Sequence, residues 1–144
     1  MTEPDNFTPT EEVIEAPKPP LYSKRSIRLF SIFFSTFAGG ILLRQNLKDV
    51  GNHNGAQRVI LFSILYTVVA GAVANAFAGR AVTAVGFLLN IIGSFILNEY
   101  FFEKAVPDAD SYPKKTFWKP LIIWLLISAV FITLIIVGGG LPKQ

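Results

Sequence analysis

The chain has 144 residues, of which 51% are apolar and only 16% charged. That leaves room for one compact unit and too few charges for a soluble domain, which would carry about a quarter. Thirteen basic and ten acidic residues give a net charge of +3, and there is no cysteine. A disulfide framework, a thiolate nucleophile and a cysteine metal site are therefore excluded. The basic residues are scattered, with no nucleic-acid motif beside them, which argues against a nucleic-acid partner.

Residues 1–20 are acidic (Glu3, Asp5, Glu11, Glu12, Glu15) and hold five of the nine prolines. With few large apolar side chains, such a stretch cannot offset its own ordering entropy and reads as a disordered tail. The remainder, 21–144, reads as one membrane domain. Its first apolar run predicts a helix over 27–43, entered through Lys24, Arg25 and Arg28. The second and third predict helices over 59–78 and 81–97, separated by a tight reversal at Gly79-Arg80. One helix over both would be about 60 Å long and would overshoot any bilayer. The fourth, 121–137, has Trp118, Lys119 and Pro120 at its start and Gly138-Gly139-Gly140 at its end, which fit an interfacial entry and a helix stop. Between these runs, Arg44–Arg58 reads as a polar, turn-rich loop, and Glu99–Lys119 as a charged one.

Soluble helices of this length show a polar face. In Leu121–Val137 the only hydroxyls are Ser128 and Thr133, and there is no charge. The expected fold is therefore all-α, a four-transmembrane-helix bundle with both termini on one side. Lysine and arginine divide almost evenly between the two faces of such a bundle, and the three basic residues abutting the first helix favour cytoplasmic termini.

Small and polar residues recur every four positions: Ser63, Thr67, Gly71 and Asn75 in the second helix, Gly86, Asn90, Ser94 and Asn98 in the third, and Ser31, Ser35 and Gly39 in the first. Steps of four place each set on one helix face. In lipid such stripes are packing seams, because small residues let backbones approach and hydroxyls or amides hydrogen-bond between helices. The other reading is a polar path for an ion or solute, with Asn75, Asn90 and Ser94 along it. At the membrane surfaces, Lys24, Arg25, Arg28, Arg80, Trp118 and Lys119 are the residues expected to meet lipid headgroups.

No Asp, Glu, Lys or His falls within the central part of any span, no histidine or carboxylate accompanies the embedded serines, and the single histidine, His53, sits in a polar loop. Catalytic and metal residues are accordingly expected to be none, and no cofactor is implied. The function expected is that of a non-enzymatic accessory or structural subunit of a membrane complex. The alternative is a small oligomeric ion channel or solute transporter. Either has the bilayer and other membrane helices as partners, in a homo-oligomer or a larger complex. A lipid-modifying or lipid-binding role for the basic loops is a third reading.

Three resemblances bear on this. Size and loop charge are similar to those of the small four-helix multidrug exporters, but the embedded glutamate on which that family depends has no counterpart here. The stretch Gly86-Phe87-Leu88-Leu89-Asn90-Ile91-Ile92-Gly93-Ser94-Phe95 resembles the asparagine helix of the small four-helix fluoride channels, and Phe33-Phe34-Ser35-Thr36-Phe37 their phenylalanine segment. The order of the two segments is reversed relative to that family, and the match covers under a fifth of the chain. Leu21–Lys48, with its Tyr-Ser-Lys-Arg entry, Phe-Ala-Gly-Gly and Asn-Leu-Lys exit, resembles the small uncharacterised four-helix membrane proteins of bacteria. That resemblance implies a bacterial cytoplasmic membrane and supplies no activity.

Overall fold

The computed structural model describes residues 16–77, 79 and 81–138. The expected tail therefore falls largely outside the described residues. Five helices follow in order: α1 (Lys24–Phe33), α2 (Thr36–Asp49), α3 (His53–Asn75), α4 (Ala81–Ala105) and α5 (Trp118–Val137). Three of them, α3, α4 and α5, are long and apolar enough to cross a membrane, at 23, 25 and 20 residues. At 1.5 Å per residue each reaches about 30 Å or more, the thickness of a hydrocarbon core.

The first expected helix, 27–43, is not one helix. The chain breaks at Phe34–Ser35. The amides of both residues donate back to the Phe30 carbonyl, at 3.0 and 3.3 Å, which ends α1. Ser35 is extended (φ 167°), and its hydroxyl accepts from the Ala38 amide at 3.3 Å, capping α2. Serine is a strong N-cap because its oxygen satisfies an amide that the first turn leaves free. Beyond the break α2 runs back along α1. Gly39 lies against the Ile27 carbonyl and the Ser31 side chain, and the Asn46 side chain holds Tyr22 by two bonds, from the Tyr22 amide and to its carbonyl, each 2.8 Å. The stripe read as one face of a straight helix is thus the inside of a hairpin, with Ser31 on one arm, Gly39 on the other and Ser35 at the bend. The arms have 10 and 14 residues, about 15 and 21 Å, and neither spans a hydrocarbon core.

The expected loop at Arg44–Arg58 is also mostly helical. α2 runs on to Asp49 and α3 begins at His53, so three residues make the connection. Gly51 takes a positive φ of 79°, open to glycine without a Cβ penalty. Asn52 caps α3 through its side chain, which accepts from the Gly55 amide at 2.8 Å. The third expected helix continues past Leu97 to Ala105, with a π-helical stretch at Ile96–Phe102. Gly79, at φ 63°, lies in the reversal between α3 and α4.

Packing is uneven along the molecule. The hairpin sits against the first half of α3 and the second half of α4, and there the core closes around Leu21, Ile27, Leu42, Leu43, Leu47, Val59, Leu97 and Phe102. Beneath it lies a layer made of Leu21–Ser23, the α2–α3 connection and residues 106–117. The Leu21 amide donates to the Pro113 carbonyl at 2.8 Å, and the Lys115 amide to the Leu21 carbonyl at 2.7 Å. This near layer contrasts with the far half. On α3 beyond Ser63, only Ala74 is buried, and no described residue of α4 before Gly93 is. α5 buries no residue at all. It leans on the core through Leu121 and Trp124, whose ring lies 6.1 Å from Phe34 and 6.4 Å from Phe37.

Candidate functional site

Helices approach closely here because three glycines each receive a hydroxyl-bearing side chain. Gly39 of α2 meets Ser31 of α1, Gly40 meets Ser63 of α3, and Gly93 of α4 meets Thr36 and Tyr66. A Cβ at any of them would collide with its neighbour. Three of the four hydroxyls are occupied within their own helices or across the seam: Ser31 donates to the Ile27 carbonyl at 2.9 Å, Ser63 to the Val59 carbonyl at 2.8 Å, and Tyr66 to the Leu89 carbonyl at 2.6 Å. Seams of small residues and hydroxyls are the means by which helices pack where lipid removes the hydrophobic drive between them.

The residues singled out from sequence divide between two environments. Ser63, Ser94 and Asn98 are fully buried in the seam around the hairpin. The Asn98 amide donates to the Ser94 carbonyl at 2.9 Å, while its oxygen and the hydroxyls of Ser94 and Thr36 find no partner among the described residues. Gly71 and Asn75 are exposed in the far half, and Thr67, Gly86 and Asn90 are half-buried there. Nothing lies within 4 Å of where a Cβ would stand at Gly71 or Gly86. The structure thus brings together the near parts of the two long stripes and leaves their far parts only partly covered.

The near layer holds the charges. Lys24 pairs with Glu103, Arg28 with Glu99 at 3.3 Å, Lys115 with Asp49 at 3.2 Å, Lys18 with Asp108 at 3.7 Å and Lys114 with Asp110 at 3.4 Å. The first two tie α1 to the π-helical end of α4, and Arg28 also lies over the Phe95 ring, 5.1 Å from its centre. Of the residues expected at headgroups, Lys24 and Arg28 are therefore engaged with carboxylates. Arg25 and Lys119 have no ion-pair partner among the described residues, Trp118 is exposed, and Arg80 lies outside the described residues. An open cleft of 590 Å³ between α2, α3 and α4 is lined by Asn54, Arg58, Tyr100 and Lys104.

Chemically, the seam offers hydroxyls and amides, groups that donate, accept and pack. Nucleophilic or acid–base work would need a neighbouring base to activate them. Among the described residues no group of three or more His, Asp or Glu side chains is placed to hold a metal, and His53 is exposed at the start of α3.

Sequence reading missed Asn46, Thr36, Gly40 and the break itself. A signal was present: Ser35-Thr36-Phe37-Ala38 is a helix start set inside an apolar run, followed at once by two glycines. Fold and seam together define a small, all-helical protein with three helices able to cross a bilayer. Compared with models of known protein families, with curated proteins and with solved structures, the chain matches none.

Proposed function

We propose that this is a non-enzymatic multi-pass membrane protein that serves as an accessory subunit, packing its uncovered helix faces against those of a membrane partner. The observation that carries this reading is the far half of the molecule. Gly71 and Asn75 on α3 are exposed, Gly86 and Asn90 on α4 are only half-buried, and nothing lies within 4 Å of where a Cβ would stand at either glycine, so the chain itself leaves these small and polar faces partly uncovered. In lipid such faces are satisfied by another helix. α5 adds a second free surface, since it touches the core only near its start.

The topology that goes with this reading has three crossings and a re-entrant hairpin, in place of the four crossings expected from hydropathy. Segments that enter a membrane without crossing it are tolerated where protein covers them, and the inner faces of α1 and α2 are buried. The charge distribution supports it. With the hairpin returning to its side of entry, eleven of the thirteen lysines and arginines fall on the near layer's side, leaving Arg80 and Lys143 for the other. Four crossings divide the same residues almost evenly. Positive residues favour the cytoplasmic side, so the near layer is cytoplasmic and the end of α5 is not. The resemblance of Leu21–Lys48 to small bacterial membrane proteins favours a bacterial cytoplasmic membrane for this reading.

Two experiments test these proposals. The chain has no cysteine, so single cysteines report sidedness without background. Under an impermeant thiol reagent, Pro17→Cys and Asp110→Cys should react from the cytoplasmic side, and Ala81→Cys and Val137→Cys from the outside. Four crossings would instead put Pro17→Cys and Val137→Cys together. For the function, native mass spectrometry after mild-detergent purification should find a companion subunit that Gly71→Leu releases; a lone monomer would sink the accessory reading. A homo-oligomer whose ion flux in liposomes is abolished by Asn90→Ala would favour a channel lined by the same polar faces.

A further inference from the structure

Beside α1, two open cavities lie side by side where the near layer meets the hairpin. The first, 570 Å³, carries Arg25, Lys114, Lys115 and Thr116 and has Trp118 at its rim. The second, 280 Å³, is apolar, lined by Phe30, Phe33, Phe34 and Leu121. Ser26, Leu29 and Phe117 line both, so the two adjoin across these residues and together are amphipathic, with a cationic end in the charged layer and a phenylalanine-lined end beside the hairpin.

We propose that this space is a binding site for one anionic phospholipid, with the phosphodiester against Arg25 and an acyl chain along Leu29 and the phenylalanines. The charge count selects a singly charged headgroup. Lys115 is held by Asp49 at 3.2 Å and lies over the Tyr22 ring, and Lys114 is held by Asp110 at 3.4 Å and by the Ala109 carbonyl at 3.1 Å. Arg25 forms no ion pair among the described residues, so one positive charge is left unbalanced at the site, matching one phosphodiester. A guanidinium suits that partner because its fork binds two phosphate oxygens at once. The apolar end distinguishes a lipid from a free anion: inorganic phosphate has nothing to place among Phe30, Phe33 and Phe34. The Trp118 ring stacks on Phe117 with centres 5.6 Å apart, where an amphipathic aromatic marks the boundary between headgroup and chain.

The proposal rests on the membrane reading only in setting the near layer at a bilayer surface, and it fails separately from the topology. Trp118 and Trp124 are the only tryptophans, so Trp124→Phe leaves Trp118 as a fluorescent reporter at the site. The full chain carrying that change would be reconstituted in phosphatidylcholine vesicles containing brominated phosphatidylglycerol or brominated phosphatidylcholine. Brominated phosphatidylglycerol should quench Trp118 with about fivefold preference, the effect of one basic residue near an anionic surface. Arg25→Gln should abolish the preference and Arg25→Lys retain part of it, while Lys48→Gln, an equal change in net charge away from the site, should leave it intact. Equal quenching by the two lipids, or equal loss in Arg25→Gln and Lys48→Gln, would overturn the proposal. So would displacement of the brominated lipid by inorganic phosphate, which would reduce the site to a simple anion pocket.

Discussion

The near and far halves of this protein are written in the same alphabet of glycine, serine, asparagine and apolar side chains, yet only one half is packed. Gly40 and Gly93 in the near half admit Ser63 and Thr36 so closely that a single added carbon would not fit, whereas Gly71 and Gly86 in the far half have open space around them. A small residue in an apolar helix therefore has two meanings. Where a neighbour fills the space it is a joint, and where none does it is an offered surface.

Substitutions that add bulk on each side of that divide break the comparison most directly. Gly40→Leu should have the largest effect, destabilising the detergent-solubilised chain by about 1–3 kcal/mol or preventing the hairpin from seating, since the added side chain overlaps Ser63. Thermal unfolding followed by circular dichroism would show it. Next is Asn46→Leu, which leaves the buried Tyr22 amide and carbonyl without partners at a cost of about 1–3 kcal/mol; Asn46→Asp, which keeps the acceptor alone, should recover only part of it. Arg28→Gln removes a half-exposed ion pair with Glu99 and should cost below about 1 kcal/mol, less at high salt. The smallest expected effect on the isolated chain is that of Gly71→Leu, within about 0.5 kcal/mol of zero, although the same change should release a partner helix. If Gly71→Leu unfolded the isolated chain as readily as Gly40→Leu, the division into joint and surface would be wrong.

The sequence made legible whatever depends on composition alone. The three long apolar helices are where hydropathy expects them, because an unbroken run such as Leu121–Val137 has no other stable form away from water. The hairpin was not legible because Ile27–Leu43 is long and apolar enough to pass for a crossing. What bends it is one hydroxyl cap at Ser35 and one amide at Asn46 whose partner, Tyr22, lies 24 residues away. Hydropathy averages over both. The connection at Val50–Asn52 was obscured in the opposite sense, since polar residues read as loop turn out to be the ends of two helices. Among the site residues, Ser94 and Asn98 were visible as part of a stripe, but which part of the stripe is covered depends on the depth to which the hairpin reaches.

The pairing of Leu21 with Pro113 and Lys115 has a consequence for the order in which the chain assembles. The two arms of the hairpin are sequence neighbours and can meet as soon as both have been synthesised. The clasp at Leu21 must wait for more than ninety further residues, including all of α3 and α4, and closing so long a loop is slower than forming local contacts. α5 follows the clasp and emerges after the other described helices, docking through one tryptophan and one leucine near its start. Synthesis thus delivers a finished body before its most greasy helix arrives, and that helix is the one with the least to hold it at home.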